Sequence, residues 1–151
     1  SFLIGYLMPE EYFYFVGELR NFSKKQVDDF LTDFEDLFNN EILGGKKYIR
    51  DLSKGNQKKV GIVAALIGDP KVIVLDEPFA NLDPTTQIRL KKIIKNLSKK
   101  EDVTVLVSSH DLQDVTEVSD RIVLLEKGLI IKDIKKTTKT LKDLESYFTK
   151  E

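Results

Sequence analysis

A chain of 151 residues with 41% hydrophobic content is long enough for one domain with its own core. Its 24 basic and 25 acidic side chains leave a net charge of −1, which gives no footprint for direct nucleic-acid binding, and zero cysteines exclude disulfides and thiolate metal sites. No apolar run approaches the roughly 20 residues needed to span a bilayer, and no signal-peptide pattern is visible.

The segment Phe2 to Met8 reads as a short strand ending at Pro9. It begins abruptly at Ser1 rather than Met, so the expectation is a piece of a longer protein. The aromatic stretch EYFYFVGELRNF follows, and Tyr12 to Phe15 within it reads as core rather than binding surface. Ser23 with Gln26 makes a capping box. Val27, Phe30, Leu31, Phe34, Leu37 and Phe38 then mark one helical face, broken at Gly44-Gly45.

A second helix starts near Ser53, polar at first (KGNQKK) and then nearly all apolar (VGIVAALIG), until Asp69-Pro70 stops it. The strand KVIVLD aims Asp76 and Glu77 at its carboxyl end. Asp83 and Pro84 read as N-cap and first residue of a helix to about Lys99, with Leu90, Ile93, Ile94 and Leu97 as its inner stripe. A strand (VTVLVSS), a short helix (DLQDVTEV), a strand (RIVLLE), a turn at Lys127-Gly128, a strand (LIIKDI) and a helix carrying Leu141, Leu144 and Phe148 complete the chain. The lysine pairs Lys91-Lys92, Lys99-Lys100 and Lys135-Lys136 read as solvated surface.

Strands alternating with helices predict an α/β fold with a mostly parallel sheet, and continuous runs such as VIVL and VTVLV predict strands buried on both faces. In such sheets ligands gather at the carboxyl ends of strands, where Asp76 and Glu77 fall. An apolar strand ending in Asp is the Walker B pattern, with the Asp on Mg²⁺. The N-terminus of the helix opened by Ser53 and Gly55 favours an anion. His110, the sole histidine, follows the strand VTVLVSS.

With LSKGNQ, VIVLDEP, ANLDP and VLVSSHDL in this order, the sequence resembles the ATP-binding-cassette (ABC) ATPases. These stretches resemble, in turn, the signature motif, Walker B with its catalytic glutamate, the D-loop and the switch-histidine loop. IGYLMPEE resembles the approach to the Q-loop. The resemblance implies a P-loop NTPase-like sheet with a helical subdomain, and ATP and Mg²⁺ as cofactors. Asp76 would bind the metal, Glu77 would act as general base, and His110 would contact the γ-phosphate. Ser53, Lys54, Gly55, Asn56 and Gln57 of the signature, with Asp83 of the D-loop, would form the ATP-binding set facing a partner cassette. The implied layout is a core strand (1–8), a helical subdomain (9–66), a catalytic core (67–136) and a C-terminal helix (137–151).

The departures are specific. Lys54 replaces the first signature glycine, and no glutamine stands at the Q-loop, so Glu10 or Glu11 is the expected stand-in. No GxxxxGK[ST] exists: Gly45-Lys46 is followed by Lys47, and Asn40 stands where the first glycine would fall. In the family that loop precedes the Q-loop, so the expectation is a chain holding the hydrolytic half of the site, without the P-loop strand. Val103 to Val107 and Ile122 to Leu125 are therefore expected not to pair with each other. The implied role is an ATP-hydrolysing transporter subunit at the cytoplasmic face of a membrane, dimerising with a second cassette and docking a transmembrane subunit on its helical subdomain. The alternatives are a soluble ABC ATPase acting on nucleic acid or ribosomes, and a non-catalytic interaction module.

Overall fold

The computed structural model describes residues 3–148. Proline suits the first helical turn because its missing N–H has no partner to lose there, and α1 (Pro9–Leu19) begins at Pro9. The strand expected just before it is not formed. Residues 3–8 run through a turn, closed by Leu7 N–H donating to Ile4 O at 3.1 Å, and Phe2 lies outside the described residues. This segment instead lies against the stretch that leads to the helix starting after Ser53, where Arg50 N donates to Gly5 O at 3.0 Å and Ile49 N to Leu7 O at 2.9 Å. Gly5 permits that contact, since a Cβ there would stand 3.3 Å from Arg50 Cβ.

The aromatic run lies on α1, with Phe13 fully buried, Tyr12 and Tyr14 half-buried and Phe15 exposed. Ser23 caps α2 (Lys24–Thr32) reciprocally: Gln26 N donates to Ser23 Oγ at 3.3 Å, and Ser23 N donates to Gln26 Oε1 at 2.9 Å. Ser23→Ala is expected to lower stability by about 1 kcal/mol. An unchanged midpoint in thermal unfolding would assign this helix start to packing alone.

The apolar face from Val27 to Phe38 is not one helix. Thr32 Oγ1 bonds back to Asp29 O at 2.6 Å, the helix ends, and a single turn, α3 (Glu35–Phe38), follows Asp33 and Phe34. Asn39 and Asn40, at φ +54° and +57°, terminate it ahead of Gly44. Asparagine is among the few side chains that tolerate this left-handed region, so the glycines are not needed as the stop. The break lets the rings gather, with Phe30–Phe34 centroids 4.9 Å apart and Phe13–Phe38 5.8 Å apart.

A 3₁₀ turn (Ile49–Asp51) leads to α4 (Lys54–Leu66), capped by Ser53, whose Oγ accepts from Asn56 N at 3.2 Å. Val60, Val63 and Leu66 enter the core as expected. Lys59 is buried with them, its ammonium 3.4 Å from Glu41. Burial pushes the Glu41 carboxyl up, but the Lys59 charge and hydrogen bonds from Asn56, Asn39 and Lys59 bring it below its ordinary value. A buried cation needs such a partner.

β1 (Val72–Asp76) and β2 (Thr104–Ser108) pair in parallel, Val72 beside Thr104 through to Asp76 beside Ser108. The crossover between them is α5 (Pro84–Leu97), whose N-cap Asp83 accepts from Thr86 N at 3.0 Å. After β2 come α6 (Leu112–Val118) and an antiparallel hairpin of β3 (Arg121–Glu126) and β4 (Leu129–Lys135). Lys127 at φ +49° and Gly128 at φ +82° make the tight turn that hairpin twist favours. α7 (Thr140–Phe148) buries Leu144.

Among the described residues the strands form two separate pairs, so β2 and β3 are not hydrogen-bonded neighbours, in agreement with the expectation for these segments. Burial on both faces is not found. Ile73 and Leu75 are buried on the helical side, whereas Val72 and Val74 are each 65% exposed and Leu106 is 61% exposed. Among the described residues, helices cover one face only, and the alternation follows. Lys91 also departs from its expected solvated state: its side chain, 12% exposed, ties α5 to α6 by ion pairs with Asp114 at 2.8 Å and Glu117 at 2.6 Å. Lys92, Lys99, Lys100, Lys135 and Lys136 are exposed.

Candidate functional site

The ladder register sets Ser108, the last residue of β2, beside Asp76, the last residue of β1. Ser108 Oγ donates to Asp76 Oδ1. The chain then turns sharply, with Glu77 at φ +45° and its N–H donating to Ser108 O at 3.1 Å. One carboxylate oxygen of Glu77, Oε1, accepts the backbone N–H of His110 at 3.0 Å and lies 2.9 Å from His110 Nδ1. The loop that carries His110 is braced from the other side by Asp111, whose Oδ1 accepts from Gln113 N at 2.8 Å and Asp114 N at 3.0 Å to cap α6.

The hydrogen bond to Glu77, and then the charge of Glu77, raise the His110 pKa above the ordinary histidine value. The stabilisation from this pair is complete below that ordinary value and is lost as pH rises through the folded one. The ring is 84% exposed, so the effect on overall stability is small. NMR titration of the sole histidine is expected to show the raised midpoint, and Glu77→Gln to return it toward the ordinary value. An equal midpoint in both proteins would mean that the pair does not form in solution.

Lys58, one turn into α4, donates from Nζ to Glu77 O and to Ala80 O, each at 2.7 Å. Burial lowers its pKa, against the opposing charges of Glu77 and Asp76. Neither Lys58 nor Ser108 is legible as a site residue in the sequence. A lysine beside Lys59 in a polar helix start reads as surface, and only the register identifies Ser108 as the neighbour of Asp76.

The remaining expected site residues form a second group. Ser53 is committed to its helix cap. Gly55 packs against the turn after β1, where a Cβ would meet Asn81 O at 3.1 Å and Leu82 Cδ2 at 3.6 Å. Gln57 Nε2 donates to Arg50 O at 3.2 Å and Leu52 O at 2.9 Å and so braces the approach to α4, while Asn56 N donates to the Ser53 cap at 3.2 Å. Lys54 is exposed and, with Gln57, Lys58, Asp76 and Asn81, lines a cleft of about 410 Å³ between α4 and β1. The Asp83 carboxyl is held below its ordinary value by hydrogen bonds from Thr86. The structure thus joins Asp76, Glu77 and His110 through hydrogen bonds at the strand ends, and sets Ser53, Gly55 and Asp83 around the neighbouring turn. Glu10 and Glu11 bond elsewhere, with Glu11 accepting from Met8 N at 2.8 Å and Glu10 accepting from Gly44 N.

Among the described residues, no three His, Cys, Asp or Glu side chains converge as a metal cage. Mg²⁺ does not require one, because it keeps several waters and takes one or two carboxylates together with phosphate oxygens. Asp76 with the Ser108 hydroxyl beside it is an oxygen donor set of that kind.

A family profile described as "AAA domain, putative AbiEii toxin, Type IV TA system" matches residues 13–113, more than half of the chain. An uncharacterized ABC transporter ATP-binding protein of Methanocaldococcus jannaschii is 35% identical over 137 residues, 83% of this chain and 51% of that protein. One of Synechocystis is 34% identical over 139 residues, 85% of this chain and 39% of that protein. The energy-coupling factor transporter ATP-binding protein EcfA2 of Staphylococcus epidermidis is 35% identical over 113 residues, 74% of this chain and 39% of that protein. The chain therefore spans between 39% and 51% of the length of these relatives. Among solved structures, the dimeric ATP-binding cassette MJ0796 bound to ADP and Pi superposes with a TM-score of 0.73 at 23% identity, covering 89% of this chain and 59% of that one. At that identity the likeness speaks to the fold: a P-loop NTPase-type cassette. The matched span includes both the start of α4 and the strand ends that gather Asp76, Glu77 and His110, and by this match the chain belongs to the AAA-domain family, with ABC transporter ATP-binding proteins as its relatives.

Proposed function

We propose that this chain carries the hydrolytic centre of an ABC transporter ATPase subunit. The observation that carries the reading is Glu77, one of whose carboxylate oxygens, Oε1, lies against two nitrogens of His110 beside the strand-terminal Asp76. In this role Glu77 takes a proton from the attacking water. His110, carrying a positive imidazole over more of the pH range than a free histidine, orients that water and faces the γ-phosphate. Asp76 and the Ser108 hydroxyl would hold Mg²⁺, which would supply positive charge to neutralise phosphate oxygens. Ser53 and Gly55, at the N-terminus of a 13-residue helix, face the ATP of a second cassette, and Asp83 couples the two sites.

The layout proposed with this function is a helical subdomain over 9–66, a catalytic core over 67–136 and a C-terminal helix from 137. The helical subdomain takes the transmembrane subunit, at the cytoplasmic face of the membrane. No helix among the described residues is itself long and apolar enough to cross a membrane.

Catalysis needs a positioned phosphate as well as a base, and the sequence contains no GxxxxGK[ST] to cradle one. The 151-residue chain assayed alone is therefore expected to show no Mg²⁺-dependent ATP turnover. The intact protein that contains it is expected to turn ATP over and to lose that activity with Asp76→Asn. Turnover that is indifferent to Asp76→Asn would remove the metal role and with it this reading of the site.

A further inference from the structure

A glutamate at φ +45° occupies backbone space that side chains with a Cβ avoid. Such a residue persists only where its surroundings hold it there. Glu77 is held at three points. Ser108 O takes its N–H, His110 takes its carboxylate, and Lys58 takes its carbonyl. The first two come from β2 and the loop after it. Lys58 alone comes from α4.

The Lys58 contact is shaped as a clamp. One ammonium bridges Glu77 O and Ala80 O, the first and last carbonyls of the turn 77–80, at 2.7 Å each. The turn also closes on itself through Ala80 N donating to Glu77 O at 3.3 Å, a longer bond than either from Lys58. Charge-assisted bonds are the shorter and stronger kind. α4 lies close enough for this reach because Gly55, one turn before Lys58, brings helix backbone against Asn81 O.

From this geometry we infer that Lys58 is a positioning residue for the Glu77 carboxylate. By clamping both carbonyls it keeps the turn in its left-handed entry, and so keeps Oε1 against His110. The same ammonium ties α4, the helix that begins at Ser53 and Gly55, to the general base of its own chain, so displacement of α4 moves Glu77. The catalytic meaning of the clamp rests on the proposed role of Glu77; the clamp itself does not.

Lys58→Met keeps most of the stem and removes both hydrogen bonds. In the ¹⁵N-labelled 151-residue chain at one fixed pH, the backbone amide and imidazole signals of His110 are expected to move toward their positions in Glu77→Ala, where no acceptor remains at residue 77's side chain. Lys58→Arg, which keeps the charge and several donors, is expected to restore them. Signals that stay at their wild-type positions in Lys58→Met overturn the proposal. Should that variant fail to fold, Lys58→Gln, which retains one amide donor group, is expected to give a partial displacement, and wild-type signals there overturn the proposal equally. In the intact protein, Lys58→Met is expected to lower kcat on the order of 10-fold with KM for ATP unchanged, and loss through KM alone counts against positioning. If the wild-type protein turns over no ATP, the functional reading fails, while the NMR comparison still decides whether Lys58 holds Glu77.

Discussion

In the intact protein, Glu77→Gln is expected to slow ATP hydrolysis by about 10²–10⁴-fold while leaving ATP binding in place. The amide matches the carboxylate in shape, and its carbonyl oxygen can still accept the His110 backbone N–H that now lies 3.0 Å from Oε1. The φ +45° turn, the Ser108 contact and the Lys58 clamp all involve backbone atoms of residue 77, so the substitution leaves them untouched. What disappears is the basicity needed to accept a proton from water. On the proposed function, ATP-bound dimers should then accumulate, because closure over nucleotide would no longer be followed by hydrolysis. Equilibrium binding of labelled ATP and single-turnover rates separate the two effects. Loss of binding together with turnover would give Glu77 a structural role instead.

The largest loss of stability is expected from Phe13→Ala, at about 3–5 kcal/mol. Phe13 is fully buried where α1 meets the helices that follow, with its ring 5.8 Å from that of Phe38, and Phe38 lies 6.5 Å from Phe34 in turn. Truncation leaves a hole among rings that cannot all rotate into it. α1 cannot close the gap by sliding toward α2 either. One turn along, Gly17 is already so close to Val27 that a Cβ there would fall 2.4 Å from a Val27 methyl. Against a total stability of roughly 5–15 kcal/mol for a domain, such a loss leaves little margin. Denaturant unfolding measures it, and a change below about 1.5 kcal/mol would show that the cluster collapses around the vacancy.

Four helix starts were legible because a cap is decided within three residues. Ser23, Ser53, Asp83 and Asp111 each accept a backbone N–H from two or three positions ahead, whatever the rest of the chain does. The strand ending in Asp76 was legible for a similar local reason: five residues suited to a strand end at a carboxylate, and the parallel partner required by the crossover exists. Errors came where local pattern and packing disagree. Residues 3–8 look like a strand, but their carbonyls are taken by the approach to α4. The face from Val27 to Phe38 looks like one helix, but it breaks at Asp33, and its rings pack together across that break.

The sequence by itself determined which residue types reach the strand ends, namely Asp76, Glu77 and His110, because strand and loop boundaries follow from short-range preference. Only the tertiary structure decided how they meet. The bond from Ser108 to Asp76 spans 32 positions, and the one from His110 to Glu77 spans 33. Both depend on the register that two strands adopt once α5 has packed between them in the chain, and a shift of one residue would turn these side chains to opposite faces. The left-handed turn at Glu77 and the lysine that holds it were likewise invisible, since a lysine's reach is set by where its helix docks and not by its neighbours in the chain.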